Sequence, residues 1–413
     1  MSSWTYSAST ESNLMKVLYG KLQDKQFNEK NELIARLTID KNFVGSRLDF
    51  PVIQSIGAGV GSGSIPTASE NKTGLASVSS KKLYATVNVD RETVKAAQTD
   101  LGSYVRMTVH PVKVAMRAFE RNLERMLLIG DATGTGALIT GSASNSNVTG
   151  AGTAGDPYIV TFNASATYNK VHATPIEEGD ILNVNTETTQ LVVDAMTVAD
   201  TSVILNLIGT SARLATLAGA NPFTSTDKLY MQNSKDAEMM GIRGAIAATS
   251  STINGITVGR RWQAYQKNAA SVSVSVDMIN EVCLGVKQQC GEFPNLIIAS
   301  YQQYLKLINL LEDRKTIEFP AKRANIGLKS IVVDTLAGEI PLIISRFIQP
   351  TEIFFLNTDE MKLHLRPAGF EWHDEDGTVF LRTTGDAMEA RYGCYGNLFV
   401  NPHFQGYLHT LAT

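Results

Sequence analysis

Residues Phe119–Leu138 read FERNLERMLLIGDATGTGAL, an apolar-striped, charged run that breaks abruptly into glycines. Traced backwards, the stripe passes through Val112, Met116, Phe119, Leu123 and Met126, at spacings of four, three, four and three. That is the period of one helix face, so a long helix is predicted over 100–129, with Pro111 at its start or at a kink. Lys113, Arg117, Arg121 and Arg125 fall at successive i+4 positions along another side. Like charges at that spacing repel by about 0.2–0.5 kcal/mol per pair, and Glu120 and Glu124 at i+3 relieve part of it. The stripe is either a solvated face with local ion pairs or a face turned to an anionic partner or to a neighbouring subunit's carboxylates. Gly130–Gly136 (GDATGTG) then supplies the backbone freedom of a sharp exit. No Gly-Lys-Ser/Thr follows, so it is not a phosphate loop.

Towards the N-terminus, Lys82–Val89 (KLYATVNV) alternates strictly, with Leu83, Ala85, Val87 and Val89 on one face, and is predicted as a strand. Before it, 56–80 is rich in Gly, Ser and Thr and nearly free of large apolar side chains, the composition of a flexible linker. Arg47–Ile53 (RLDFPVI) is extended, and Pro51 bars it from a central strand. Two strands about such a segment predict a long β-hairpin, which cannot bury its own faces and needs a neighbouring surface. Residues 1–55, with a helix predicted at Asn13–Gln26 from Leu14, Val17, Leu18 and Leu22, have too few apolar residues for a core and read as an arm.

Towards the C-terminus the texture changes. Over 156–240 short β-type runs alternate with turns: Tyr158–Phe162, Asp180–Val184, Gln190–Met196 and Ser202–Leu207. This stretch holds ten acidic and four basic residues, a net of −6, which leaves +3 on the rest of a chain totalling −3. A separate module is expected, a small antiparallel barrel entered through the Ser/Gly/Asn-rich 141–155. Residues 255–413 alternate strands and helices, an α+β pattern. The helices are Asp277–Gln289, capped by Ser275 or Asp277, and Tyr301–Glu312, with Tyr304, Leu307, Ile308 and Leu311 inward. The strands are Leu296–Ala299, Ser330–Val333, Leu342–Ser345, Ile353–Leu356, Thr378–Thr383, Glu389–Val400 and Gly406–Leu411.

The chain has 413 residues, of which 43% are hydrophobic and only 19% charged, below the ~25% of ordinary soluble domains. So little charge, so nearly balanced, is a weak defence against self-association. There is no apolar run of about 18 residues and no signal-peptide pattern, so neither a membrane span nor export is expected. Cys283, Cys290 and Cys394 cannot make a disulfide framework. Cys283 and Cys290 share a helix face and read as inert thiols. His373-Asp374-Glu375-Asp376 reads as an exposed turn rather than a metal site, and His110 as a helix-start residue. Gly57–Gly63 (GAGVGSG) precedes no helix, so no nucleotide site is expected. No nucleophile–base or metal-ligand constellation converges, and no catalytic residue, cofactor or metal is assigned.

These parts in this order resemble the major capsid proteins of tailed bacteriophages, the Hong Kong 97-like fold. Phe119–Leu138 resembles the end of that family's spine helix and the turn after it. Met388–Leu411 (MEARYGCYGNLFVNPHFQGYLHTL) is similar to its closing strands, and Ile340–Leu365 to the strand pair before them. The resemblance implies an α+β capsid fold with an N-terminal arm at 1–55 and an extended β-hairpin loop at 56–90. It implies a peripheral domain with the spine helix at 91–140 and 376–413, rejoined by 241–264, and an axial domain at 265–375. Residues 141–240 fall outside the minimal pattern and read as an inserted small all-β domain on the outer surface. The implied function is self-assembly, as pentamers and hexamers, into an icosahedral shell around double-stranded DNA. A portal, a separate scaffolding protein and a decoration protein would be partners, and no membrane. The virion would be its place, after assembly in the bacterial cytoplasm. Lys113, Arg117, Arg121 and Arg125 would face a sister subunit or DNA, and Lys72, Lys81 and Lys82 would make extended-loop contacts. Some family members cross-link a loop lysine to a peripheral-domain asparagine. Asn397 or Asn401 would be that partner here, although no catalytic acid can be placed. The alternatives are an encapsulin-type compartment shell and, from another class, a β-rich adhesive or carbohydrate-binding protein.

Overall fold

The fold was established from a computed structural model. It describes residues 33–55, 72–90, 109–130, 137–140, 146–163, 176–198, 202–218, 227–249, 252–312, 331–336, 338–373, 381–382 and 387–412. The expected helix Asn13–Gln26, the glycines Gly57–Gly63, the turn after Gly130 and the cluster Asp374–Asp376 lie outside these residues. The chain divides into two compact units. Among the described residues the smaller comprises those of 85–118 and 372–392, and the larger holds the rest. In the smaller unit Val87 and Ala390 are buried, with Ala115 and Trp372 packed against them.

Helix α1, Val109–Ile129, runs from the smaller unit into the larger. Pro111 sits in its first turn, where a missing N–H costs nothing. In the larger unit the expected stripe is buried at Phe119, Leu123 and Met126, and Leu127 and Leu128 are buried beside it. Phe119 meets Phe370 edge-on, with ring centroids 5.9 Å apart.

Strand Met361–His373 anchors a five-stranded sheet. Thr38–Asp40 lies parallel to it, pairing Thr38 with Lys362 and Asp40 with His364. Leu33, Leu37 and Phe43 are buried, so this part of the arm docks on the sheet rather than forming a core of its own. On the other side lies Ala387–Val400, which also pairs with Lys81–Asp90 and Leu381–Arg382. The alternation read in KLYATVNV is real: Leu83 and Val87 are buried while Lys82 and Tyr84 are exposed. The expected hairpin is different. Arg47–Ile53 pairs not with Lys82–Val89 but with Thr73–Ser79, from Arg47 opposite Ser79 to Ile53 opposite Thr73. Thr73–Ser79 lies in the stretch read as a linker. Its small residues hide a strand in composition, yet Ala76 and Val78 are fully buried and Ser77 Oγ donates to Asp49 Oδ1 at 2.6 Å. Pro51 is tolerated because the ribbon has only two strands.

Seven strands drawn from 137–231 form a second sheet. Their order is Ala137–Thr140, Lys228–Met231, Ile181–Val184, Leu191–Val198, Ser202–Gly209, Tyr158–Asn163 and Ser146–Thr149. Every pair is antiparallel. The four predicted strands are present, but the expected barrel is an open sheet, with no pairing between its two end strands among the described residues. Closure is unnecessary because helix α2, Ala212–Leu217, covers the apolar face. Ser211 caps it, accepting from Leu214 N, and Leu214 and Leu217 join Val203, Leu205 and Leu207 in the core.

After the short helix α3, Ile242–Ile246, comes a six-stranded mixed sheet. Its order is Tyr265–Asn268, Gly406–His409, Ile353–Leu356, Leu296–Ala299, Gly338–Ile344 and Ile331–Thr335. Helices α4, Val276–Cys290, and α5, Tyr301–Glu312, accompany it. Ser275 caps α4, and Gly291 ends it in the left-handed region at φ 89°. Val282, Cys283, Val286, Tyr304 and Leu307 share a core with Ile297, Phe355 and Leu408. Two expected boundaries shift. Gly406–His409 belongs to this sheet and not with the other closing strands, because Leu408 and Leu411 fill its core. Met361–His373, expected with 265–375, belongs to the five-stranded sheet instead.

Candidate assembly surface

The chain leaves α1 at Gly130 and returns through Gly241, and these two residues touch backbone to backbone. Gly244 N donates to Gly130 C=O at 2.8 Å. A Cβ on either Gly130 or Gly241 would collide with the other's amide, so both positions need glycine. The seven-stranded sheet is thus strung between two chain crossings that lie side by side.

Two residues of the basic stripe of α1, Arg121 and Arg125, point into this junction. Arg125 is buried and forms a bidentate pair with Glu238, and its Nε donates to Asn122 Oδ1 at 2.9 Å. Arg121 pairs with Asp180 at 2.7 Å and with Glu177, which also accepts from Arg346 at 3.4 Å. Burial holds the Asp180 carboxyl above its ordinary range, against the lowering pull of Arg121. For Arg125 this corrects the expectation of a DNA- or neighbour-facing charge. Its guanidinium is spent on a carboxylate 113 residues away, because a buried arginine needs a partner for its charge. Arg121 is likewise engaged within the chain. Arg117 has a partner of its own in the fold, and the Lys113 side chain lies outside the described residues.

A second pair, between a half-buried arginine and a buried carboxylate, ties α3 to the six-stranded sheet. Arg243 grips Glu352 bidentately, with Nε at 3.0 Å and Nη2 at 2.9 Å from its oxygens. Burial and then the Glu352 charge push the neighbouring Tyr407 phenol far up. No signal in the sequence pointed to this pair. Burial raises the Cys283 thiol to about 12 and the Cys290 thiol above its ordinary value, which fits their reading as inert, and it raises the Cys394 thiol to about 12 as well.

The loop lysines are dispersed. Lys72 precedes the second ribbon strand, its C=O accepting from Gln54 N at 2.8 Å. Lys81 Nζ donates to Asp236 C=O at 2.9 Å. Lys82 lies over the Tyr395 ring, 5.9 Å from its centroid. Asn397 is buried and donates to Ser79 C=O at 2.9 Å, while Asn401 donates to Glu360 and caps the 3-10 turn Pro402–Phe404. No lysine stands by either amide among the hydrogen bonds of the described residues. Among those residues no three His, Cys, Asp or Glu are grouped to hold a metal ion, and no helix is long and apolar enough to cross a membrane. Large apolar side chains are exposed at several places, among them Val44 before the ribbon, Ile53 and Leu75 on it, and Tyr301, Leu305 and Leu336 beside the six-stranded sheet. Surfaces of this kind mark contacts with other chains.

The sequence profile of the SU10 major capsid protein matches residues 220–394. No curated protein matches the chain. Among solved structures, the capsid asymmetric unit of cyanophage A-1(L) superposes with a TM-score of 0.59 at 12% identity, covering 99% of this chain and 100% of that one. The capsid of a native GTA particle superposes at 0.50 with 9% identity, covering 99% of both chains. At these identities the likeness establishes the fold: the α+β architecture is that of these capsid subunits, along the whole chain.

Proposed function

We infer that this chain is a major capsid protein of tailed phages, whose work is to assemble with copies of itself into the shell of the virion. The observation that carries this is the capsid-protein profile over 220–394, in a chain that takes the capsid-subunit fold from end to end. The role is structural, and no catalytic step is assigned to it. The encapsulin alternative shares the architecture, but the matching profile is that of a capsid protein, and nothing favours an adhesin.

Copies associate as pentamers and hexamers whose head-to-tail contacts close into rings and then tile. The ribbon Arg47–Ile53/Thr73–Ser79, with Ile53 and Leu75 exposed, lies across a sister subunit, which gives its outward face the cover that a two-stranded ribbon lacks. Each contact can be weak because every subunit makes many. The sheet of 137–231 is the inserted domain, on the outer surface. Its support is the pair of adjacent crossings at Gly130 and Gly241 and the acidic excess of this stretch. The six-stranded sheet is the axial domain, here formed by 265–357 with 405–412. The shell encloses double-stranded DNA and is built in the host cytoplasm with a portal, a separate scaffolding protein and a decoration protein.

The Ile53→Asp/Leu75→Asp double variant places charge on the exposed face of the ribbon and leaves its buried Ala76 and Val78 untouched. The variant is expected to fold, with an unchanged circular dichroism spectrum, and to lose stable shells in electron micrographs. Normal particles from it would overturn the proposed role of the ribbon.

A further inference from the structure

The outward face of the five-stranded sheet carries a second group of cations, unlike those of α1. Along Lys81–Asp90 the buried residues are Leu83 and Val87, so Lys82 and Tyr84 point the other way, and both are exposed. On the adjoining strand Cys394 is fully buried and Tyr395 lies on the outer side. Arg366, next to the buried Leu365, is exposed on Met361–His373. These four side chains converge. Lys82 Nζ and Arg366 Cζ lie 5.9 and 5.6 Å from the Tyr395 ring centroid. Tyr84 meets that ring edge-on at 5.8 Å, with the two hydroxyls 3.1 Å apart. Arg121, Arg125, Arg213 and Arg243 each hold a carboxylate. Among the described residues no carboxylate pairs with Lys82 or Arg366, and the one hydrogen bond of Arg366 is a long one, 3.5 Å, to Gly45 C=O.

We propose that Lys82, Tyr84, Arg366 and Tyr395 form the surface on which this protein contacts the phosphate backbone of double-stranded DNA, a step that rests on the capsid reading above. Lysine, arginine and phenolic hydroxyls are all phosphate donors, and the cation–anion hydrogen bonds are the strong ones. Stacking against Tyr395 holds the two cations near one point without neutralising them. A sister subunit is the weaker occupant. Lysine is depleted from the cores of protein interfaces, and most of the exposed aliphatic residues that such a core needs lie elsewhere, at Ile53, Leu75, Leu305 and Leu336, with Val44 alone beside Gly45. Lys82, Tyr84, Arg366 and Tyr395 lie on the strands of a sheet and not on a helix that could enter a groove, so the contact is independent of sequence.

The test uses the full-length chain, kept too dilute to assemble, and fluorescent 20-base-pair duplexes of two unrelated sequences. Anisotropy titrations at 50–200 mM salt give the slope of log K against log salt. Each phosphate contact contributes about 0.9 to that slope, so the Lys82→Gln/Arg366→Gln double variant is expected to lose about 2 from it, equally for both duplexes. Tyr84→Phe, which removes one hydroxyl, should weaken binding less and leave the slope unchanged. Circular dichroism verifies that the variants are folded. No binding by the parent chain, or an unchanged slope in the folded double variant, would overturn the proposal. So would normal DNA affinity in a double variant that no longer forms shells, since the patch would then face a sister subunit. Shell formation by the parent chain, scored in parallel, tests the capsid reading separately.

Discussion

The seven-stranded sheet of 137–231 and the six-stranded sheet of 265–409 solve the same problem in opposite ways. The first is drawn from one continuous stretch of chain, and all its pairs are antiparallel. The second pairs residues as far as 141 apart: Tyr265 pairs in parallel with Gly406, and the strand Gly406–His409 lies inside the sheet rather than at its edge. One region is self-contained and joined at a narrow neck. The other closes only when the C-terminus is in place. The first can therefore be gained or lost as a unit, whereas the second is tied to the whole chain.

The largest expected effect separates the two. Truncation before Gln405 removes the strand between Tyr265–Asn268 and Ile353–Leu356, and the protein should be insoluble. Replacing 137–236 with a short Gly-Ser linker retains Glu238 and should leave a remainder that melts in one cooperative transition. A soluble, folded truncation, or an excision without a cooperative melt, would break the comparison. Next comes Arg125→Ala, which leaves Glu238 buried and unpaired. Denaturant unfolding should show a loss of about 3–5 kcal/mol; under 1 kcal/mol would mean that the pair does not hold the neck. Gly241→Ala forces a methyl against the Gly130 backbone and should cost about 1–3 kcal/mol in the same assay.

Much of this was legible where the pattern is local. The four-three stripe of Phe119, Leu123 and Met126 is buried as read, and so is the alternation of Leu83 and Val87. Thr73–Ser79 was missed because small residues carry little hydrophobic signal, and Ala76 becomes core only through its partner strand. The Arg125–Glu238 pair was invisible because nothing in the sequence links positions 113 apart. The basic stripe looked like a surface feature, since spacing along a helix reveals a charged face but not what covers it. The placement of Gly406–His409 was misread for a related reason: an apolar strand declares its burial, not its neighbours.

The smallest expected effect is one of pH. His364 is buried beside Phe50 and Phe399, with Asp40 Oδ2 3.2 Å from its Nδ1 and Lys362 nearby on its own strand. Burial, aided by Lys362, lowers its pKa below 6.5 despite the opposing pull of Asp40. The unfolded chain then binds the extra proton first as pH falls. Docking of 33–43 should therefore weaken below about pH 6.5 and be unaffected above it. Hydrogen exchange at Phe43, whose N–H donates to Leu365 C=O, reads this directly. His364→Gln should flatten the dependence, and an unchanged profile would remove His364 from this role.

Sedimentation velocity of the full-length chain after expression tests the shell-forming reading most directly. A capsid subunit gives capsomers and closed shells of megadalton mass that electron microscopy resolves as uniform particles. A single species at 44.8 kDa across all concentrations and salts would contradict it.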